Sequence, residues 1–402
     1  MGQMNRGNGN RAGGNGNRAG GNGPQGNRAR GASFVRTVVG LLLLAGGAAL
    51  VGPVQAGDDE KVLNIYNWSE YIGDQTIRNF EKETGIKVNY DTFDGNEVLH
   101  AKLRSGHTGY DIVVPSAHWA KRQIAGHLLL KLDKSKITTF GNLDPWLMGQ
   151  LARAAEDPGN DYVVPWLWGA TTVGINVDKV KAALGPLPMP ENAWDLIFKP
   201  EYSSRLKTCG LSVLDTGDDV FPAALRYLGK SGFSHEKADY EAAAQLLAKL
   251  RPNVTLFSSS SYINGLADGS LCAALAWNGD IGQATQRAKA AKNGIRIVPL
   301  VVTGGEYMYF DTMGIPADAK HVENAYKWMS YIYRPDVQAG IVNKTVHANP
   351  VRAADKLVNA DVRSVPGVFL KGDETRLEPQ QSIPDDVLRL RTRLYTNFKT
   401  GQ

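Results

Sequence analysis

Apolar and polar residues follow two alternating patterns along most of the chain. Residues 62–66 form an apolar strand pattern, and a helical pattern follows with Asp74 as its N-cap and Gly85 as its end. Residues 86–90 then place apolar side chains at every second position, as strands do, and residues 96–105 return to helical spacing. Because strands and helices alternate, the pattern predicts an α/β fold with a largely parallel sheet.

The same alternation continues beyond residue 106. Strands are predicted at 111–116, 162–164, 172–176, 271–277 and 307–315, and helices at 240–250 and 322–333. Residues 165–169 interrupt the strand pattern, and we expect the chain to cross there into a second lobe. Ligands of such sheets bind at the carboxyl ends of strands, where Trp68, Ser69 and Ser116 are predicted to lie.

The first 56 residues have a different composition from the rest of the chain. Residues 1–33 are rich in Gly, Asn and Arg and are predicted to be a disordered tail. Residues 34–56 combine Arg36, an apolar run over 38–51 and small residues before Gly57, which is typical of a signal peptide cleaved after Ala56. The alternatives are an uncleaved anchor and a start codon further along the chain.

The net charge of +5 comes from the N-terminal segment. The body after residue 56 is close to neutral, because that segment contains no acidic residue and six arginines, Arg6, Arg11, Arg18, Arg28, Arg30 and Arg36. General nucleic-acid binding needs a concentrated basic surface, so a nucleic-acid partner is not expected. At 402 residues the chain is long enough for two domains.

The sequence contains no recognised catalytic or metal-binding motif. The Ser-nucleophile elbow, the P-loop, C-x-x-C and H-E-x-x-H are all absent, and the seven histidines are scattered. We therefore expect no enzyme, cofactor or metal site, and we interpret His118 and His127 as surface or loop residues. The only cysteines, Cys209 and Cys272, are either a disulfide, which an exported protein favours, or two buried thiols.

Aromatic residues stand beside carboxylates at three predicted strand ends. Trp68 precedes Glu70, Trp277 precedes Asp280, and Tyr309 precedes Asp311. An alkyl diamine needs an apolar slot for its methylene groups and an anion or aromatic face at each ammonium group. Each residue alone is more often a core, turn or cap residue. Their recurrence at three separate strand ends weakens that interpretation, but it does not identify the ligand.

Several longer stretches carry a resemblance to known proteins, namely IYNWSEYI (65–72), FEKETGIKV (80–88), GYDIVVPSA (109–117), LDKSKI (132–137), NVDKVKAALG (176–185), SYINGLADG (261–269) and RAKAAKNG (287–294). Over residues 61–393 the chain resembles the family of periplasmic polyamine-binding proteins of ABC importers, above all its putrescine-binding members. It implies a type II periplasmic-binding-protein fold with the ligand in the cleft between two lobes. The expected lobes are 57–168 with 309–345, and 169–308 with 346–402.

The resemblance also implies roles for individual residues. Trp68 and Trp277 would pack on the methylene chain of the ligand beside Tyr309, and Asp280 and Asp311 would bind one ammonium group. Asp219 would act on the other ammonium group, and Cys209 and Cys272 would form a disulfide. The remaining lining would come from Ser69, Glu70, Tyr71, Ser116 and His347.

Some positions depart from the putrescine-binding pattern. Glu70, Asp219, Tyr309 and His347 stand where Asp, Glu, Phe and Tyr are expected, and His118 and Trp119 also differ. These departures leave the choice between putrescine and spermidine open. The resemblance implies a periplasmic monomer that binds one of these amines by lobe closure and delivers it to an ABC permease. Two other readings stay open, namely a receptor for another small solute and a secreted enzyme on a similar fold.

Overall fold

The computed structural model describes residues 60–300, 307–365 and 378–402. The predicted disordered tail and signal peptide lie outside these residues. Among the described residues, no helix is both long and apolar enough to span a membrane.

Ten strands are present in the described residues. They are β1 (Val62–Trp68), β2 (Lys87–Phe93), β3 (Ile112–Val113), β4 (Val163–Asn176), β5 (Leu211–Val213), β6 (Leu256–Phe257), β7 (Ala273–Trp277), β8 (Ile297–Leu300), β9 (Tyr307–Gly314) and β10 (Glu378–Pro379).

The α-helices fill most of the connections between the strands. In the first half they are α1 (Thr76–Thr84), α2 (Asn96–Ser105), α3 (Ala117–Ala125), α4 (Pro145–Ala154), α5 (Val177–Leu184), α6 (Asp195–Phe198) and α7 (Pro200–Leu206). In the second half they are α8 (Gly217–Tyr227), α9 (Lys237–Leu250), α10 (Tyr262–Asp268), α11 (Asn278–Ala291), α12 (Val322–Ile332), α13 (Pro335–Thr345), α14 (Ala360–Arg363) and α15 (Asp385–Thr400).

The strands form one sheet that runs through two lobes. Its order is β2-β1-β3-β9-β4-β7-β5-β6, with β10 paired to β9 and β8 paired to β4. Strand pairs β1/β2, β1/β3, β5/β6 and β5/β7 are parallel, whereas β4 runs antiparallel to β7, β8 and β9. The predicted α/β fold is confirmed, and β4 with β9 forms the central connection between the lobes.

One predicted break in a strand is wrong. Residues 165–169 were expected to separate two strands, but they lie inside β4, which is continuous from Val163 to Asn176. The register between β4 and β9 shifts between Pro165 and Trp168, so the proline is accommodated by an irregularity in the strand pairing.

Helix ends follow the sequence signals in part. Gly85 ends α1 with a φ of 69°, as its position predicted, because glycine adopts left-handed backbone at little cost. Asp74 is not the N-cap, since α1 begins at Thr76 after Gln75. Helix α2 has the predicted bounds.

Each lobe has its own apolar core. The first contains Leu63, Phe80 and Trp328, and the second contains Leu211, Phe221 and Leu275. Val346 and Val351 pack in the same apolar core as Leu63 and Phe80.

A disulfide joins Cys209 and Cys272 within the second lobe, as predicted. It closes a loop of 63 residues between the end of α7 and the start of β7. In the chain-entropy description, a loop of this length contributes about 4 kcal/mol to the free energy of unfolding.

Candidate functional site

A cavity of about 40 Å³ lies between the two lobes. Both lobes supply its walls, which consist of Trp68, Ser69, Tyr71, Asp94, Asn96, Ser116, His118, Thr216, Asp218, Asp219, Ser259, Trp277, Asp280, Tyr309, Asp311, His347 and Gln380.

The ends of strands and the starts of helices place the polar groups in this cavity. Asp219 lies in the first turn of α8 and Asp280 in the first turn of α11. A helix N-terminus carries partial positive charge and favours the ionised form of a nearby carboxyl group. Ser116 is the residue before α3, and its hydroxyl does not cap that helix, so it is free to bond elsewhere.

A side-chain hydrogen bond joins Asp311 of β9 to Ser116, the residue before α3. The Ser116 hydroxyl donates to Asp311 Oδ1 over 2.7 Å and accepts from the Asn96 amide over 3.0 Å. Burial raises the pKa of Asp311 to about 7, although the Ser116 hydrogen bond works in the opposite direction. Asp311 is therefore a buried carboxyl group held by neutral donors.

Asp280 is in a similar environment. The Tyr262 hydroxyl donates to Asp280 Oδ2, and the Gln283 amide donates to Asp280 Oδ1 over 3.1 Å. Burial raises the pKa of Asp280 to about 7, against the Tyr262 hydrogen bond and the charge of Arg287. No lysine or arginine of the described residues forms an ion pair with Asp280 or Asp311.

His347 faces Asp280 as a neutral ring. Its Nδ1 lies 2.7 Å from the Thr345 carbonyl, which can only accept, so Nδ1 carries the proton and donates. Burial lowers the pKa of His347 to about 4, and Nε2 lies 3.9 Å from Asp280 Oδ1 with its lone pair available. A Cβ at Gly279 would come within 2.3 Å of this ring, so glycine allows the close approach.

Asp219 is a third buried acid in the cavity, and it is held by Thr171 and Tyr307. The Thr171 hydroxyl donates to Asp219 Oδ1 over 2.6 Å, and the Tyr307 hydroxyl donates to the Asp219 carbonyl over 2.7 Å. Burial raises the pKa of Asp219 to about 6, and the charge of Asp218 adds to this rise. Like Asp280 and Asp311, it has only neutral hydrogen-bond donors described around it.

Asp218 differs from the other three acids. It pairs with Arg391, accepts from the Trp119 indole over 2.6 Å, and lies 3.6 Å from His118 Nε2. Burial opposes its ionisation, but the Arg391 charge and the His118 contact outweigh that effect and lower the pKa of Asp218. It is thus the one of these four acids that an arginine neutralises.

Aromatic rings form the apolar walls between the acids. Trp277 lies edge-on to Trp68 at 6.0 Å and to Tyr309 at 6.2 Å between ring centroids. The Trp68 indole donates to the Val114 carbonyl over 2.9 Å, which fixes its ring. The Tyr309 hydroxyl is buried and has no hydrogen-bond partner among the described residues, so it can bind a ligand. The buried Tyr71 hydroxyl interacts with the Asp311 carboxyl group and opposes the rise in the pKa of Asp311.

Of the predicted lining residues, the structure places one outside the cavity. Glu70 is exposed, has a φ of 59°, and pairs with Arg287 of the other lobe over 2.6 Å. The other ten line the cavity together, namely Trp68, Ser69, Tyr71, Ser116, Asp219, Trp277, Asp280, Tyr309, Asp311 and His347.

Several lining residues were not predicted as site residues. Asp218 directly precedes Asp219 in the sequence, so its position at the start of the same helix was a usable signal. Gln380 had no such signal, because it reaches the cavity from the segment before α15, and the same lining includes Asp94, Asn96, Thr216 and Ser259. His118 also lines the cavity, and its interpretation as a surface or loop residue is wrong, because it is buried on α3. No cluster of metal-ligating side chains occurs in the part of the chain that the structure describes.

Known proteins similar to this chain cover nearly all of its body. A family profile described as bacterial extracellular solute-binding protein matches residues 75–363. The putrescine-binding periplasmic protein PotF of Escherichia coli is 46% identical over 362 residues, which is 90% of this chain and 97% of that protein. The putrescine-binding periplasmic protein SpuD of Pseudomonas aeruginosa is 41% identical over 363 residues, which is 90% of this chain and 98% of that protein.

Solved structures show the same architecture. The spermidine/putrescine ABC transporter substrate-binding protein PotD of Streptococcus pneumoniae superposes with a TM-score of 0.66 at 26% sequence identity. The superposition covers 85% of this chain and 99% of that chain. The two-lobe fold is therefore shared along the whole of that neighbour.

Proposed function

The chain belongs to the family of bacterial extracellular solute-binding proteins, and on that premise we propose that it captures putrescine between its lobes for an ABC importer. Its relatives at 46% and 41% identity are named putrescine-binding periplasmic proteins. Export by the predicted signal peptide, a monomeric state in the periplasm and delivery to permease subunits are parts of the same proposal.

One observation carries this proposal, namely three buried acids in one aromatic cavity that have no arginine or lysine partner among the residues the structure describes. Asp280 and Asp311 bind one ammonium group of the ligand, and Asp219 binds the other. Ionised carboxylates in a dry cavity are costly unless an opposite charge compensates them, and a diammonium ion supplies that charge. A sugar would have no use for acids at both ends.

Neutral groups complete the coordination of the ammonium groups. The Tyr309 hydroxyl and His347 Nε2 offer acceptor lone pairs, which an ammonium group with three donors can use. The Tyr71 hydroxyl, which interacts with Asp311, keeps a lone pair for the same purpose. The faces of Trp68 and Trp277 enclose the methylene chain and attract its charged ends, at about 0.5–2 kcal/mol for each cation–π contact.

The same charges couple binding to closure of the lobes. Without a ligand, closing the cleft buries acids that must either take up protons or remain uncompensated, so the closed form is disfavoured at pH values above their pKa. Putrescine removes this cost, and the closed population should rise with ligand. Small-angle scattering with and without putrescine measures this change, and equal closed fractions would contradict the coupling.

Isothermal titration calorimetry on the purified protein tests the proposed function directly. The amines to compare are putrescine, cadaverine, spermidine and spermine, with lysine as a cation that also carries a carboxylate. We expect putrescine to bind most tightly and lysine to bind weakly, because its carboxylate would face the acids. Absence of heat with all four amines would overturn the assignment, and tighter binding of spermidine would replace the ligand.

A further inference from the structure

One acid in the wall of the cavity is paired with a cation that belongs to the protein itself. Arg391 is buried, with only 6% of its side chain exposed, and its guanidinium group pairs with Asp218. Asp218 lines the cavity, so the pair lies at the cavity wall. Asp218 and Arg391 are 173 residues apart in sequence, so no local motif links them.

The fold holds this arginine rigidly in place. Arg391 lies on α15, which packs against α8 and α9 of the same lobe. One turn further along α15, the Tyr395 hydroxyl donates to the Leu214 carbonyl over 2.5 Å. A Cβ at Gly217 would come within 3.3 Å of Tyr395, so α15 and the start of α8 are in close contact. The guanidinium group therefore has little freedom to leave Asp218.

The facing lobe completes the enclosure of this ion pair. Trp119 and His118 of α3 both reach Asp218, the first by an indole hydrogen bond of 2.6 Å and the second at 3.6 Å. The partly buried Glu97 of α2 also faces the pair, and burial together with the charge of Asp218 raises its pKa to about 7. Asp218 thus has its acceptor positions used by protein donors before any ligand arrives.

We propose that Arg391 is a specificity-determining residue that neutralises Asp218 and so restricts the cavity to ligands with two ammonium groups. This inference rests on the proposed function and names what sets the length of its ligand. A triamine such as spermidine would have to place a third ammonium group near a guanidinium group, and an arginine cannot relieve that repulsion by losing its proton.

The alternative is that Asp218 serves as the third anion of a longer amine. That role would require an acid without an arginine or lysine partner. Within the described part of the chain this holds for Asp219, Asp280 and Asp311, but not for Asp218. The four acids are the same residue type in one cavity, and only their partners distinguish them. Removing the Arg391 charge should therefore leave Asp218 without an arginine partner, as Asp219, Asp280 and Asp311 are.

Three variants test this by calorimetry with putrescine and spermidine. Arg391→Met keeps the length and apolar stem of the side chain but removes the charge, and it should raise the ratio of spermidine to putrescine affinity at least about tenfold, as expected for one buried charge contact. Arg391→Lys retains the charge and should keep the wild-type ratio. Arg391→Met combined with Asp218→Asn removes both charges and should lose the gain.

A further variant is expected to change the affinity ratio in the opposite direction, so the inference can be tested even if Arg391→Met does not fold. Asp218→Asn leaves Arg391 unneutralised, so the ratio of spermidine to putrescine affinity should fall below the wild-type value. Circular dichroism and thermal melting establish that each variant is folded. A ratio within twofold of wild type in a folded Arg391→Met protein, or a higher ratio in Asp218→Asn, would overturn the inference.

The wild-type titration separates this inference from the proposed function. If wild-type protein binds none of the amines, the proposed function fails. If it binds putrescine but the variants leave the ratio unchanged, only the role of Arg391 fails.

Discussion

The cavity contains the same kind of acid in opposite electrostatic states. Asp280 and Asp311 are buried among neutral donors, and burial raises the pKa of each to about 7. Asp218 is equally buried, but Arg391 lowers its pKa. The comparison shows that burial alone does not decide the charge state of these acids. The partner that the fold brings to each carboxyl group decides it.

The largest expected effect comes from removing one of the acids that have no arginine partner in the described part of the chain. Asp280→Asn and Asp311→Asn should each weaken putrescine binding by about 2–5 kcal/mol, because each leaves an ammonium group without its charged partner. Calorimetry measures the loss. Asp361→Asn is the matched control, since Asp361 pairs with Lys289 on the surface and should leave binding unchanged. Wild-type affinity in both cavity variants would show that the ligand lies elsewhere.

The pH dependence of binding distinguishes the two kinds of acid. Because two carboxyl groups with pKa values of about 7 must ionise to receive the ammonium group, putrescine affinity should rise about a hundredfold from pH 6 to pH 8. Calorimetry across this interval gives the slope. The double variant Asp280→Asn with Asp311→Asn should show a flatter profile, and a flat profile in the wild type would contradict these pKa values.

The raised pKa values of Asp280 and Asp311 and the lowered pKa of Asp218 should make the stability of the ligand-free protein depend on pH in opposite directions. Asp280 and Asp311 keep their protons to about pH 7 when folded but lose them near pH 4 when unfolded, so the stability they contribute is lost as the pH rises through 7. Asp218 contributes stability above about pH 4 that is lost in acid. Thermal melting at pH 5 and pH 8 should show that saturating putrescine protects far more at pH 8.

The aromatic walls should contribute less than the acids. Trp277→Ala removes one ring face and should weaken putrescine binding by about 0.5–2 kcal/mol, the range of one cation–π contact. Trp277→Phe keeps a smaller aromatic face and should recover part of the loss. Calorimetry of both variants against putrescine measures the difference, and equal affinities for the Ala and Phe variants would argue against a role for the ring face.

The smallest effect is expected at the rim of the cleft. Glu70 and Arg287 join the two lobes outside the cavity, and Gln283 also donates to the Glu70 carbonyl over 3.4 Å. An exposed ion pair contributes about 0–1 kcal/mol, so Arg287→Met should weaken putrescine binding by no more than that. The difference in affinity between this variant and the wild type should disappear at high salt, because salt screens the exposed ion pair of the wild type. A larger loss that persists in high salt would place Glu70 among the residues that bind the ligand.

Much of the fold followed from local sequence. The periodicity of apolar residues predicted the α/β class and the bounds of α2, and Gly85 marked the end of α1, because these features depend on neighbours in the chain. The resemblance to polyamine-binding proteins gave the family and the two-lobe fold, both of which are confirmed, together with the disulfide between Cys209 and Cys272. The cavity roles of Asp219, Asp280 and Asp311 remain proposals.

Long-range contacts decided what local patterns could not. The proline-containing segment 165–169 reads as a break, yet pairing with β9 keeps it within β4. Glu70 adjoins cavity residues in sequence, yet its positive φ turns it to the rim and Arg287.

The sequence by itself determined which acids and aromatic residues the protein has and that strand ends and helix starts carry them. Only the tertiary structure decided which acid meets a cation of the protein and which stays open to a ligand. Asp218 and Asp219 are adjacent in sequence, but Arg391 from α15 reaches only the first. The charge state of a buried group depends on partners brought together by folding, and those partners can lie anywhere in the chain.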